Sequence, residues 1–236
     1  MGAKTIASLV DTGKITKKEG QYLLPLCNNL SPLFIMGYIS VSTLNAPELR
    51  YGILLIVLLS SALSAVLMLP KNRQMTGNIQ ISFPSVKGMP SDTSASYNIA
   101  NPACSQKKFT FSFLLLDAAI EQAFSVLTRV GGYMILFSVL ANLLTLMPLP
   151  PLVLACIGSL LEVTTGSAAL ASLPLPKTVL LPLVTGFVAF GGLSTAAQTK
   201  SVLAKATLPF AHYLFTKVLA GTIAAVLMIL FLLIAT

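Results

Sequence analysis

Glu162 stands within the long apolar run from Pro151 to Leu173 and is followed by Val163, Thr164, Thr165 and Gly166. A carboxylate in such a run, if it lies at membrane depth, is expensive to bury and reads first as a site: a proton or cation coupling group, or an acceptor for a ligand donor. The structural alternative is a position near the headgroups or a pairing with Lys177. Thr164, Thr165 and Gly166 can present hydroxyls and backbone amides beside it, and a helix starting there attracts anionic groups through its free N–H donors and dipole. Two further polar clusters interrupt apolar stretches: Asn28, Asn29 and Ser31 within 22–44, and Gly191, Gly192, Ser194 and Thr195, with Gln198 just beyond, within 178–203. Lys4 either meets an anionic ligand or snorkels toward an interface. His212 and Lys217 fall in the first turns of the last apolar run, where a surface role is expected.

Other chemistries find little support. Cys27, Cys104 and Cys156 lack CxxC spacing, so neither a zinc site nor a disulfide framework is suggested. No GxSxG, HExxH or phosphate-binding loop occurs, and the expectation is a protein that is not an enzyme and carries no cofactor, with Na+ or H+ left open as a coupling ion. The chain is 55% hydrophobic and 9% charged, with a mean hydropathy of +0.85, whereas soluble domains run at roughly 25% charged. Apolar runs near 20 residues match the ~30 Å hydrocarbon layer. The net charge of +8 is read as loop topology and not as nucleic-acid binding, because membrane proteins concentrate Lys and Arg in cytoplasmic loops. The lipid bilayer is thus the first expected partner.

The elements that must position these residues are of two kinds. Uninterrupted runs at 51–70, 130–149 and 210–235 predict ordinary membrane helices. Those at 22–44, 151–173 and 178–203 are broken: Pro32 removes a backbone donor and disfavours helix in the residue before it, and the other two carry Glu162 to Gly166 and Phe190 to Thr195. Irregular backbone is tolerated at membrane depth only when buried in protein or lining a polar cavity, which makes the breaks pointers to a site; a kink, or a glycine that admits a neighbouring helix, is the structural alternative. Residues 71–112 form the one long polar stretch and predict a loop. From Phe113 to Thr128, Asp117, Glu121, Ser125 and Thr128 make one polar stripe, which suits an interfacial helix or one whose stripe faces the bundle interior; the interfacial reading, separate from the 130–149 span, is favoured because a crossing here would spoil the topology.

An internal repeat orders these pieces. Gly2 to Leu9 matches Gly166 to Leu173 at four of eight positions, Asn29-Leu30-Ser31 falls near Gly192-Leu193-Ser194, and the 51–70 and 210–235 runs correspond. Three crossings between the copies would invert the second relative to the first. Lys14, Lys17, Lys18, Lys71, Arg73, Lys87, Lys107, Lys108 and Lys205 gather on one face of this topology, against Arg50 and Lys177 on the other, which predicts the first face as cytoplasmic. Met1 directly precedes a glycine expected at a hairpin tip, so an internal start, a split gene or a truncation is inferred. The expected fold is an all-α polytopic membrane protein: an inverted-repeat, transporter-like bundle with re-entrant hairpins and broken helices, its first repeat incomplete. Residues 1–70 end the first repeat, 71–112 are a cytoplasmic polar loop, and 113–236 are the second repeat.

Gly2-Ala3-Lys4, Ile15 to Glu19, Asn28 to Ile35, Gly131-Gly132-Tyr133, Phe137-Ser138-Val139, Leu161 to Gly166, and Phe190 to Ser194 with Gln198 together resemble the sporulation integral membrane protein (YlbJ) family, which carries the nucleoside-recognition gate domain and is related to concentrative nucleoside transporters. The resemblance spans nearly the whole chain except 71–112 and looks like the family's C-terminal portion. It implies a bacterial membrane transporter or permease for dipicolinate or a related anion, in the mother-cell-derived membrane around the forespore. It also implies a small anionic or nucleoside-like substrate, with a homo-oligomer or a missing N-terminal half as partner. The alternative is a non-transporting scaffold or assembly factor for the spore envelope.

Overall fold

The computed structural model describes residues 2–68, 113–203 and 208–235, and the expected cytoplasmic loop at 71–112 lies outside them. The described residues form helices α1 (Gly2–Asp11), α2 (Lys17–Cys27), a π-helix (Phe34–Thr43), α3 (Arg50–Leu67), α4 (Phe113–Leu143), α5 (Pro151–Leu161), α6 (Val163–Ala171), α7 (Lys177–Phe190), α8 (Gly192–Leu203) and α9 (Phe210–Ala235), with no strand among them. Four stretches, Pro47–Leu67, Leu116–Leu146, Lys177–Leu203 and Phe210–Ile234, are long and apolar enough to cross a membrane.

Local signals account for the starts and breaks. Thr16 caps α2 in a reciprocal capping box with Glu19, the Thr16 hydroxyl oxygen accepting from the Glu19 amide at 3.2 Å while a Glu19 carboxylate oxygen accepts from the Thr16 amide at 2.8 Å. α2 stops at Cys27, and chain without helical geometry runs from Asn28 to Ser31, ahead of Pro32. The next segment winds as a π-helix, with the Ser40 hydroxyl donating to the Ile35 carbonyl five residues back at 2.8 Å. α5 begins on Pro151, a residue preorganised for a first helical turn, and is separated from α6 by the single extended residue Glu162. α7 ends where Gly191 takes φ +89° and Gly192 φ +79°, a left-handed pair that a side chain would strain.

One expectation is corrected. The polar-striped segment from Phe113 to Thr128 is not a separate interfacial helix but is continuous with the next apolar run, in one helix of 31 residues. No proline or capping residue divides them, and the Gly131-Gly132 pair is accommodated within the helix. At 1.5 Å per residue α4 reaches about 46 Å, so roughly ten residues project beyond a ~30 Å hydrocarbon layer. Asp117, Glu121 and Ser125 are exposed near its start.

The packing is reciprocal. α1 packs on α2 and α8, whereas α6 packs on α7 and the π-helix; α2 touches α9 and α3 touches α7; and α3 and α9 lie against one another. The main core joins Ile35, Ile39, Ile53, Val57, Val163, Val184, Val188 and Met228, and a second cluster unites Ala3, Ile6 and Leu24 with Ala196, Leu203 and Tyr213. Each core therefore takes residues from both ends of the chain, which brings the interruptions at 28–31 and 191–192 toward one another.

Candidate functional site

The helical arms α5 and α6 are 11 and 9 residues long, roughly 14–17 Å each and too short to cross alone. They fold back on one another with Glu162 at the turn. A Cβ on Gly166 would lie 2.1 Å from the Ser159 amide nitrogen and 2.2 Å from its Cα, so the arms meet backbone to backbone and only glycine fits there. The tip rests against the second break, where the Cβ direction of Gly192 points at the Val163 nitrogen, 3.2 Å away.

Glu162 is 1% exposed and forms the N-cap of α6. Its Oε2 accepts from the Thr164 amide at 2.9 Å, the Thr165 amide at 2.8 Å and the Thr165 hydroxyl at 3.1 Å, and from the Thr164 hydroxyl as well. The amides expected to be available to an anionic ligand are thus already taken by the chain's own carboxylate. Charge-assisted bonds of this kind are about twice as strong as neutral ones and hold the carboxylate in place.

A cavity of about 220 Å³ lies beside the tip, lined by Ser31, Glu162, Thr164, Ser194, Thr195 and Gln198 together with Leu30, Phe34, Val130, Met134 and Val163. Six of the expected residues, Ser31, Glu162, Thr164, Ser194, Thr195 and Gln198, therefore meet in one place. Thr165 and Gly166 line a larger neighbouring cavity of about 520 Å³ between α4 and the hairpin. Gly191 and Gly192 are buried and shape the break. Lys4 is half-buried on α1 and lines neither cavity.

Asn28 and Asn29 turn elsewhere and serve as clasps. The Asn28 amide donates to the Thr199 hydroxyl at 2.8 Å and to the Tyr213 hydroxyl at 2.9 Å, tying the first break to α8 and α9. Asn29 Oδ1 accepts from Ser61 Oγ on α3 at 2.8 Å and from Lys217 Nζ on α9 at 2.7 Å.

The surface role expected for Lys217 is wrong. Its side chain is 3% exposed, and Nζ also donates to the Ala189 carbonyl at 3.3 Å, just before the second break. Lys217 sits seven residues into α9, about 10 Å along the helix axis, and that depth was the available signal. Tyr213 and Thr199, buried partners of Asn28, were missed as well. His212 is half-buried, edge-on to Tyr22 with ring centroids 5.4 Å apart.

Comparison with known proteins gives one informative likeness. The chain is 28% identical to sporulation integral membrane protein YlbJ of Bacillus subtilis (strain 168), over 97% of this chain and 60% of that protein. The chain thus spans about 60% of the length of the curated relative it matches. No family model matches and no solved structure matches. The likeness supports the sporulation integral membrane protein family, and with the four long apolar helices it identifies a multi-pass membrane protein.

Proposed function

We propose that the chain forms the core of a secondary transporter or permease for a small anionic aromatic metabolite, with no catalytic step, acting in the membranes of a sporulating bacterium. The observation that carries this reading is the meeting of the hairpin tip at Glu162 with both broken segments around one cavity of about 220 Å³, a largely apolar space into which several polar residues are brought. Pockets for drug-sized ligands run at roughly 300–1,000 Å³, so this one suits a smaller guest. Ser31, Ser194 and Gln198 supply donors, and Glu162, its charge offset by two amides and two hydroxyls, supplies an acceptor. Transport works in this reading by displacement of the α5–α6 hairpin relative to the other helices.

The reciprocal contacts of α1 with α8 and of α6 with the π-helix favour an inverted repeat in which α1, α2, the π-helix and α3 correspond to α6, α7, α8 and α9. The hairpin is then re-entrant, with its tip near the bilayer midplane. The sporulation name of the relative and the resemblance drawn from the sequence favour dipicolinate or a related dicarboxylate as the substrate. The test is uptake of dipicolinate, of a nucleoside and of an unrelated anion into proteoliposomes, using a form extended to the relative's full length. Saturable flux of dipicolinate above both controls is expected; nucleoside flux would change the substrate, and no flux would favour a membrane scaffold.

A further inference from the structure

The transport reading makes no use of the buried ammonium of Lys217. Lys217 is 3% exposed and makes no ion pair with a carboxylate among the described residues; its two acceptors are neutral oxygens, Asn29 Oδ1 at 2.7 Å and the Ala189 carbonyl at 3.3 Å. An unpaired ammonium inside a bundle costs several kcal/mol unless something nearby offsets its charge.

The local chain supplies the offset. α7 ends at Phe190 and the chain turns left-handed at Gly191, so the carbonyls of its last turn lose the donors that a continuing helix would give them. Ala189 contributes one of these carbonyls, at the negative end of the α7 dipole. Asn29 brings a second oxygen from the other break, and its amide is held in place by Ser61. Carbonyl ends of half-helices and unwound backbone are what discontinuous membrane helices use to hold a monovalent coupling cation. Here the same kind of oxygen cluster holds a cation covalently attached to α9.

We infer that Lys217 is a resident cation standing where a coupling Na+ would otherwise bind, so that the junction of the two breaks is complete without sodium. The inference rests on the transporter reading for its meaning, but its test needs no transport. Thermal unfolding of the purified full chain in detergent is compared in sodium chloride and in choline chloride at equal ionic strength. The unsubstituted protein is expected to have the same Tm in both. Lys217→Ala is expected to unfold at lower temperature in choline and to recover part of the loss in sodium, because the vacated oxygens can accept the free ion. Lys217→Gln keeps a donor and much of the volume without the charge, and should show the same sodium response from a smaller initial loss. A sodium-dependent rise in Tm of the unsubstituted protein overturns the inference. So does a fall in both variants that is equal in the two salts, which would leave Lys217 a packing residue. Neither outcome bears on whether dipicolinate is carried.

Discussion

Asn29 and Lys217, 188 positions apart in the chain, are joined by an amide oxygen and an ammonium 2.7 Å apart. The contact fastens the first break to the last helix, and Ser61 makes the same oxygen a node shared with α3. Removing one partner strands the other: Asn29→Ala leaves the ammonium with a single neutral acceptor, a loss of about 1.5–3 kcal/mol, the range for a hydrogen bond to a charged group. A double-mutant cycle of Asn29→Ala and Lys217→Met, read by denaturant unfolding, should show a coupling of about 1 kcal/mol or more. Additivity within about 0.5 kcal/mol would mean that the contact contributes little.

Glu162 has two separable roles, cap and cavity wall. Asp is among the best N-cap residues, so Glu162→Asp should retain α6 and leave the melting temperature nearly unchanged while withdrawing the carboxylate from the cavity. Glu162→Gln keeps the length but weakens the charge-assisted cap, at a cost of about 0.5–2 kcal/mol. If the carboxylate contacts substrate, both variants lose flux by about tenfold or more, equivalent to about 1.4 kcal/mol. Flux in Glu162→Asp equal to that of the unsubstituted protein would reduce Glu162 to a cap.

Gly166 leaves no space for a methyl group. With Ser159 backbone atoms 2.1–2.2 Å from the would-be Cβ, Gly166→Ala must push the hairpin arms apart, an overpacking cost of about 3 kcal/mol or more. Expression and Tm should fall together, and Ala168→Gly, exposed on the same helix, should cost only about 1 kcal/mol through helix propensity.

An inverted repeat, as proposed above, would put the α1–α2 turn and the α6–α7 turn on opposite faces of the membrane. With Cys27, Cys104 and Cys156 replaced by serine, Thr12→Cys should react with an impermeant maleimide only from the cytoplasmic side and Ser172→Cys only from the other; both positions are exposed. Labelling of both from the same side would remove the inversion.

What the sequence made legible were its punctuation marks. Pro32, Gly191 and Gly192 are backbone constraints that act whatever surrounds them, and the breaks fall beside them; α9 likewise spans Phe210–Ala235, matching its uninterrupted apolar run. The stripe of Asp117 and Glu121 misled because polarity alone does not end a helix. Lys217 was missed for a different reason: a lysine early in an apolar helix commonly reaches toward an interface, and only the folding of α7 and the first break around it closes that route. The capping role of Glu162 was similarly hidden, since glutamate seldom caps and does so here because two threonines follow at the right spacing. The i to i+5 winding of Phe34–Thr43 leaves no mark in composition.

The contact between Gly166 and Ser159 also fixes the mechanics of the hairpin. Turning α6 against α5 by one residue, about 100° of rotation with about 1.5 Å of rise, would bring the Cβ of Thr165 or Ser167 to a place where no Cβ fits, which favours the two arms moving together as one stiff blade. Its roots are the chain from Met147 to Pro151 and the chain from Ser172 to Pro176, each rich in proline and leucine and each outside a long helix, and these are the natural pivots. In the transport reading proposed above, access to the cavity beside Glu162 would then come from a swing at those two pivots and not from any loosening of the tip.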